Sequence, residues 1–186
     1  MRAYTGSPVS GATLTELMVA LGISSFLLTT AVPPLSELYR KSQIIAELNS
    51  LSGVIQATRA LAIDQQRTLS LCPTQNWQRC DFSDWTLGKM VFDDRDGDKH
   101  RDPNEPLLLS SGKIDNQIKS VGPKRHIRFH ANGQTATPAT LTLCPTQKTP
   151  QLNRALIVSM QGRIKLSRDT NGDGIHELNN GKAIKC

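Results

Sequence analysis

An apolar run near the start of the chain is its first strong pattern. Residues 11–32 are almost all apolar or small, and Glu16 is the one charged side chain among them. The uncharged part, residues 17–32, is shorter than the ~20 residues that a helix needs to cross a bilayer alone, although Leu14 and the helix beyond can extend it. An ionised carboxylate in hydrocarbon costs roughly 2.5–3.5 kcal/mol on insertion scales. We therefore expect the Glu16 carboxylate to have a charged partner or a functional role.

A secretory signal peptide is an alternative interpretation of this run. Thr29, Thr30 and Ala31 offer a small-residue cleavage site, which favours it. Only one basic residue, Arg2, precedes the run, and Glu16 lies where the apolar stretch should begin. Both features argue against a signal peptide.

The helical period continues after the apolar run. Pro33 and Pro34 are expected to bend the helix, because proline removes a backbone donor and clashes with the preceding turn. Spacings of three, four and seven residues predict an amphipathic continuation over residues 34–66. Its buried stripe would consist of Leu38, Ile45, Leu48, Leu51, Ile55 and Ala62.

Beyond residue 66 the pattern becomes that of β-strands. Short apolar segments separated by Gly, Pro, Asn and Asp predict strands at 68–72, 85–92, 107–110, 126–130, 139–144, 155–160 and 163–167. In the last of these, Ile164 and Leu166 would share one face, as in an antiparallel sheet with one wet side. Residues 67–186 should therefore form a β-rich body, and the whole chain an α+β fold.

The four cysteines suggest covalent cross-links. Aromatic residues make up only 4% of the 186 residues, so the core must be aliphatic and modest, and it would gain from such links. Cys72, Cys80, Cys144 and Cys186 allow three pairings, and the sequence does not choose among them. Proximity favours Cys72 with Cys80, which would leave Cys144 for Cys186. A zinc site is the rival, but the chain has no C-x2-C spacing.

Charge is distributed unevenly along the chain. Residues 116–168 contain nine Lys and Arg and no Asp or Glu, whereas residues 81–105 contain eight acids, so the net charge of +6 understates the asymmetry. Clustered cations attract phosphate backbones regardless of base sequence, which makes the basic half a candidate DNA surface. A merely soluble basic face, or a surface that matches the acidic half of a neighbouring subunit, explains the pattern equally well.

Metal binding and catalysis have weaker support in the sequence than DNA binding. Asp169, Asn171 and Asp173 have the alternate spacing of a calcium loop, and Asp94, Asp96 and Asp98 form a looser version. Asp-Gly and Asn-Gly are also common turn sequences, so we expect no resident cofactor. The nucleophile-elbow, Walker and zinc-protease motifs are absent, so we expect no enzymatic activity.

The N-terminal motif resembles the processing site of type IV pilins and type II secretion pseudopilins. The motif is Gly11 followed by Ala-Thr-Leu-Thr-Glu16 and the apolar run. The resemblance implies that prepilin peptidase removes residues 1–11 as a leader and methylates the new amine of Ala12. Residues 12–33 would then form a transmembrane and filament-core helix. It also implies that Glu16 pairs with the N-terminal amine of a neighbouring subunit in the filament.

The body resembles the GspH/FimT family of minor pilins and pseudopilins. The resemblance rests on Trp85-x-x-Gly88 with Val91-Phe92-Asp93, Ile127-x-Phe129 with Gly133, Leu143-Cys144 and Gly162-Arg163, in that order. It implies a type IV pilin-like fold, with a long kinked N-terminal helix packed on antiparallel sheet. It further implies a single-pass inner-membrane protein with a periplasmic body, which becomes extracellular in an assembled filament and has other minor and major pilins as partners.

A DNA-binding role follows from the same resemblance. FimT-like pilins of natural transformation carry a Gly-Arg-x-Arg motif whose arginines are implicated in DNA contact, and Gly162-Arg163-Ile164-Lys165 matches it, with Arg168 beyond. Lysine at the last position keeps the charge but loses the planar fork of arginine. Lys124, Arg125 and Arg128 would extend the surface for double-stranded DNA. A purely structural pseudopilin of a type II secretion system is the alternative, and the sequence does not choose between pilus and secretion system.

Overall fold

The computed structural model describes residues 11–98 and 100–186, and the side chains of residues 30–34 lie outside the description. The leader predicted at residues 1–11 therefore falls almost entirely outside the described residues, and so do the side chains of Pro33 and Pro34, where a bend was predicted. One helix, α1, is assigned from Leu14 to Asp64. The chain divides into two units, residues 1–40 and residues 41–186.

Eight strands form two antiparallel four-stranded sheets in the second unit. The strands are β1 Leu69–Thr74, β2 Gly88–Phe92, β3 Leu107–Ser111, β4 Ile118–Val121, β5 Ile127–Phe129, β6 Ala139–Pro145, β7 Arg154–Val158 and β8 Ile164–Leu166. The first sheet has the order β3-β2-β1-β5 and the second the order β4-β6-β7-β8. A 3-10 turn, Pro150–Leu152, lies between β6 and β7. The α+β fold predicted from the sequence, with an N-terminal helix and antiparallel sheet, is confirmed.

The helix contributes one side of the main hydrophobic core. Leu48, Leu51, Ile55 and Ala62 are buried as predicted, and they pack with apolar side chains from both sheets. Leu38 and Ile45 were wrongly assigned to the buried stripe, since they are 62% and 39% exposed. Ile44 occupies the buried position instead. The stripe was predicted correctly only where the sheets cover the helix.

Two strand assignments need correction. β4 was missed, because its inward positions are held by Ile118 and the polar Ser120, which hides the alternation. β2 begins at Gly88 rather than at Trp85, whose ring is buried before the strand starts.

On β8, Ile164 and Leu166 share one face as predicted, since they lie opposite the buried Val158 and Leu156. Leu166 is nevertheless 43% exposed, because β8 is an edge strand.

Within the part of the chain that the structure describes, no helix combines the length and the hydropathy that a bilayer crossing requires. The membrane segment predicted at residues 12–33 stays a prediction.

Candidate functional site

Glu16 closes a capping box at the start of α1. Its Oε2 accepts a hydrogen bond from the backbone amide of Thr13 at 3.3 Å, and its own amide donates to Thr13 Oγ1 at 3.3 Å. Thr-x-x-Glu is the sequence signature of this reciprocal cap, which satisfies two of the free amides at a helix start. This local partner of Glu16 was not predicted, although the Thr-x-x-Glu spacing is present in the sequence. Removal of residues 1–11 would leave both hydrogen-bonding residues in place.

The first turns of α1 present apolar side chains to the surroundings. Large apolar residues between Leu14 and Leu28 are 56–74% exposed. A continuous apolar surface of this kind marks a contact with another protein or with lipid.

Both disulfides join residues of the second unit. Cys72 bonds to Cys80, eight residues apart, and Cys144 on β6 bonds to the terminal Cys186, 42 residues apart. The pairing favoured by proximity is therefore the one found. The second bond fixes the C-terminal segment beside the sheet, where Ile184 is buried and its carbonyl accepts a hydrogen bond from Asn153 Nδ2 at 3.1 Å.

The basic half of the sequence builds the second sheet. β4, β6, β7 and β8 all come from the acid-free segment 116–168, so no carboxylate lies on any of these strands. On β8, Lys165 is level with Ile157 and Thr140 on the wet face, and its side chain is exposed. Arg163 and Arg168 flank β8 and are exposed as well. Within the described residues, none of these three cations forms an ion pair.

Close packing explains the glycine before Arg163. Gly162 has a φ of +72°, and a Cβ at this position would lie 2.1 Å from the Gly133 carbonyl oxygen and 2.7 Å from Arg59 Nε. Arg59 Nε itself donates to that carbonyl at 2.9 Å. Only glycine fits this turn, so the turn holds Arg163 at the tip between β7 and β8.

Lys124 and Arg125 lie at the opposite edge of the same sheet. They follow β4, whose last residue, Val121, lies opposite Thr142 of β6. Lys165 is level with Thr140, further along β6 in the direction in which β4 runs. The chain therefore leaves β4 at the end of the sheet where Lys165 lies. Three strand spacings, about 14 Å, separate β4 from β8. The Trp85 ring packs on Gly122, and its Nε1 donates to the Pro123 carbonyl at 2.9 Å, which fixes the segment before Lys124.

Arg128 stands apart from the other predicted DNA ligands. It lies on β5 in the first sheet, where its Nη2 donates to Asp94 Oδ2 at 2.6 Å and its Nε donates to Ser70 Oγ at 3.3 Å. The Asp94 side chain is fully buried. Arg128 is therefore paired with the Asp94 carboxylate. We define the basic surface by the remaining five residues, Lys124, Arg125, Arg163, Lys165 and Arg168.

Two more basic side chains are withdrawn from solvent. Arg154, counted in the basic half, is buried, and its Nη1 donates to the carbonyls of Gln151 and Asn153; burial lowers its pKa. Burial also lowers the pKa of Lys89 on β2 to about 8, and its Nζ donates to the Leu87 carbonyl at 2.7 Å. No sequence signal identified Lys89 as buried.

A groove borders β8 on its free edge. Its volume is about 910 Å³, and Lys165, Arg168, Glu177 and Leu178 are among its lining residues. The groove combines an edge strand, which has unpaired backbone groups, with two of the exposed cations. The Glu177 carboxylate lies in the same groove, so its lining carries both signs of charge.

The calcium-like loop at residues 169–173 is closed by its own hydrogen bonds. Asp169 accepts from the amides of Gly174 and Gly172 at 2.8 and 2.7 Å, and these bonds, that of Gly174 first, lower its pKa. Asn171 Oδ1 accepts from the Asp173 amide at 3.0 Å, and Asp173 Oδ1 accepts from the Ile175 amide at 2.7 Å. These oxygens stabilise a turn, whether or not an ion binds.

Comparison with solved structures finds similar proteins, and the likeness in fold rests on the first of them. The type IV minor pilin FimU of Pseudomonas aeruginosa PAO1 is 21% identical, with a TM-score of 0.52 over 73% of this chain and 93% of that chain. The minor pseudopilin EpsH of the Vibrio cholerae type 2 secretion system is 11% identical, with a TM-score of 0.48 over 67% of this chain and 95% of that chain. No functionally curated protein matches the sequence.

The family comparison covers the body of the protein. Residues 47–162 match the family model described as type II transport protein GspH. The match includes the end of α1 and every strand except β8, so Arg163, Lys165 and Arg168 lie beyond it. Because it spans more than half of the chain, the chain belongs to the GspH family, the type IV pilin-like minor pilins and pseudopilins of GspH/FimT type.

Proposed function

We propose that this chain is a leader-processed minor subunit of a type IV pilus or a type II secretion filament. Prepilin peptidase would cleave between Gly11 and Ala12 and methylate the new amine, and the inner membrane would hold the subunit until it assembles. The observation that supports packing into a filament is the exposed apolar surface between Leu14 and Leu28. Such a surface needs other pilins or lipid around it. The proposal includes no catalytic step.

Glu16 would have two roles in this assembly. In the single chain its carboxylate caps the helix start, and in the filament it would meet the N-terminal amine of a neighbour. The substitutions E16Q and E16A separate these roles, because glutamine also closes a capping box but carries no charge. If the charge is required, both variants should be missing from filaments sheared off the cells, whereas wild type is present. Assembly of E16Q at the wild-type level would reject the charge role.

The second part of the proposal is that the basic surface binds double-stranded DNA without base specificity, as natural transformation requires. Its support is that an acid-free segment folds into a sheet of its own and leaves Arg163, Lys165 and Arg168 exposed without carboxylate partners in the described chain. Two basic edges about 14 Å apart are comparable with the ~12 Å width of a DNA major groove.

A salt series tests DNA binding. Full-length protein in a non-ionic detergent would be titrated into a fluorescent duplex, and the anisotropy followed at several salt concentrations. Each phosphate contact adds about 0.9 to the slope of log K against log salt, so R163Q/K165Q should weaken binding and reduce that slope by about 1.8. K41Q/R79Q is the matched control, since it removes two exposed positive charges that lie outside the second sheet.

The control should retain the wild-type affinity and slope. Equal losses in both double variants would mean that only net charge matters. Undetectable binding at low salt would favour the alternative, a purely structural pseudopilin of a type II secretion system. The filament proposal survives that outcome, because the Glu16 experiment tests it separately.

A further inference from the structure

Three carboxylates converge where β2 leaves the first sheet. Asp94, Asp96 and Asp98 each bring one carboxylate oxygen to within 4.8 Å of the other two. Asp94 is buried, whereas Asp96 and Asp98 are exposed on the loop that follows. Arg128 offsets the charge of Asp94, but among the described residues no ion pair offsets those of Asp96 and Asp98, which would favour a bound cation.

The buried member of the group has an oxygen without a hydrogen-bond partner. Asp94 Oδ2 accepts from Arg128 Nη2 at 2.6 Å and from Ser70 Oγ at 3.0 Å. Asp94 Oδ1 is buried and, within the described residues, receives no hydrogen bond. A buried carboxylate oxygen left in this state is costly. Since Arg128 and Ser70 occupy Oδ2, Oδ1 is the oxygen that remains for a cation.

We propose that this loop binds Ca²⁺ through Asp94, Asp96 and Asp98. Calcium takes six to eight oxygen ligands, and in twelve-residue calcium loops these come from alternate positions at the start, from the ninth position and from a glutamate at the twelfth. Counted from Asp94, the ninth position is Asp102 and the twelfth is Glu105. The loop departs from that pattern in one respect, since its positive-φ glycine, Gly97, is at the fourth position instead of the sixth.

Glu105 already turns toward the interior of this loop. It is only 2% exposed, its Oε1 accepts from the Arg95 amide at 2.7 Å, and its Oε2 accepts from the Asp102 amide at 3.2 Å. The carboxylate thus connects the beginning of the loop to its end. Glu105 is not among the three carboxylates that converge, so its role in the proposed site is to hold the two ends of the loop together.

The second acidic loop lacks the corresponding feature. Asp169, Asp173 and Glu177 also lie within 4.8 Å of one another, but no oxygen of theirs is buried without a hydrogen-bond partner. Both oxygens of Asp169 accept backbone amides. The two loops therefore provide a matched comparison in the same protein.

Calcium titration calorimetry on chelator-treated, full-length protein in detergent tests the proposal. The variant is D96N/D98N, because asparagine retains the acceptors that hold the amides of Asp98 and His100 while it removes two charges. The substitution D94N is avoided, since it would disturb the buried pair with Arg128. The control is D169N/D173N, which removes two carboxylate charges from the other loop and also one acceptor of the turn at Asp169.

Wild type and D169N/D173N should bind one Ca²⁺ saturably, with a dissociation constant on the order of 10⁻⁴–10⁻³ M, as in extracellular modules. Calcium should also raise the melting temperature of both proteins. D96N/D98N should lose the saturable binding and the thermal shift, yet melt like wild type in chelator. Absence of binding in wild type, or binding that survives D96N/D98N and disappears in D169N/D173N, would overturn the assignment.

Discussion

The pair between Arg128 and Asp94 should be the most sensitive electrostatic contact in the body. The Asp94 side chain is fully buried and the Arg128 side chain is 24% exposed, with 2.6 Å between Nη2 and Oδ2. Removal of one partner of a buried pair leaves an uncompensated charge and costs about 3–5 kcal/mol. R128Q should therefore be strongly destabilising, and R128K, which keeps the charge but loses the fork, much less so.

The neighbouring carboxylate offers a matched control. Asp93 pairs with Arg95 at 3.0 Å and with Arg67 at 3.1 Å, and these arginine side chains are 55% and 48% exposed. Exposed pairs are worth about 0–1 kcal/mol, and in R95Q the carboxylate keeps Arg67. The Asp93 side chain is 5% exposed and therefore almost as buried as that of Asp94, so the two Arg-to-Gln changes differ in two other respects. Arg95 is more exposed than Arg128, and Asp93 keeps a second arginine, whereas among the described residues Asp94 has no other cation to pair with.

Thermal unfolding followed by circular dichroism, on full-length protein in detergent with chelator, measures the difference. For a domain of this size 1 kcal/mol shifts the melting temperature by about 3 °C. R128Q should then melt roughly 9–15 °C below wild type, and R95Q less than about 3 °C below it. Equal shifts in the two variants, or an R128Q shift as small as that expected for R95Q, would refute the reasoning. Below both transitions, R128Q should bind DNA like wild type, because its guanidinium is occupied by Asp94.

Two further predictions concern the same body. The pKa of Lys89 is about 8 in the folded protein against 10.5 ordinarily, so the unfolded chain binds more protons between these values and stability should rise with pH across that window. K89M should abolish that rise, because methionine does not titrate; urea unfolding at pH 7.5 and 9.5 checks this, and an unchanged pH dependence in K89M contradicts it. The 42-residue loop closed by Cys144 and Cys186 should make C144A/C186A less stable by about 4 kcal/mol, against about 2.5 kcal/mol for C72A/C80A. Unfolding midpoints of the two double variants test that order, and the reverse order would show that loop length does not govern these disulfides.

Local patterns predicted the elements that depend on local physics. The helical period identified Leu48, Leu51, Ile55 and Ala62 as buried. The same period placed Leu38 in the stripe, because a period tells which face is apolar but does not tell what covers it. β4 escaped prediction for the opposite reason, since Ser120 holds an inward position without an apolar side chain.

Contacts between distant residues could not be predicted in this way. Ser70 on β1 lies opposite Arg128 of β5 on one side and opposite Phe92, at the end of β2, on the other. Because Asp94 follows the end of β2, this pairing brings it to Arg128. This arrangement depends on the register of three strands, which no local pattern reveals. The Thr13–Glu16 cap, in contrast, was visible as Thr-x-x-Glu. It was not predicted, because a carboxylate in apolar surroundings suggested a partner in a neighbouring subunit instead of one in the same helix turn.

The separation of charge between the two sheets gives the functional proposals a common physical basis. Of the five strands from the acid-free segment, β5 alone joins the first sheet, where its arginine is neutralised by an acid from the loop after β2. Among the described residues no acid forms an ion pair with the cations of the second sheet, so these cations are available to an external anion. If that anion were the acidic loop of a neighbouring subunit, R163Q/K165Q should impair filament assembly and leave DNA affinity unchanged. If it is DNA, assembly should persist while affinity and salt slope fall.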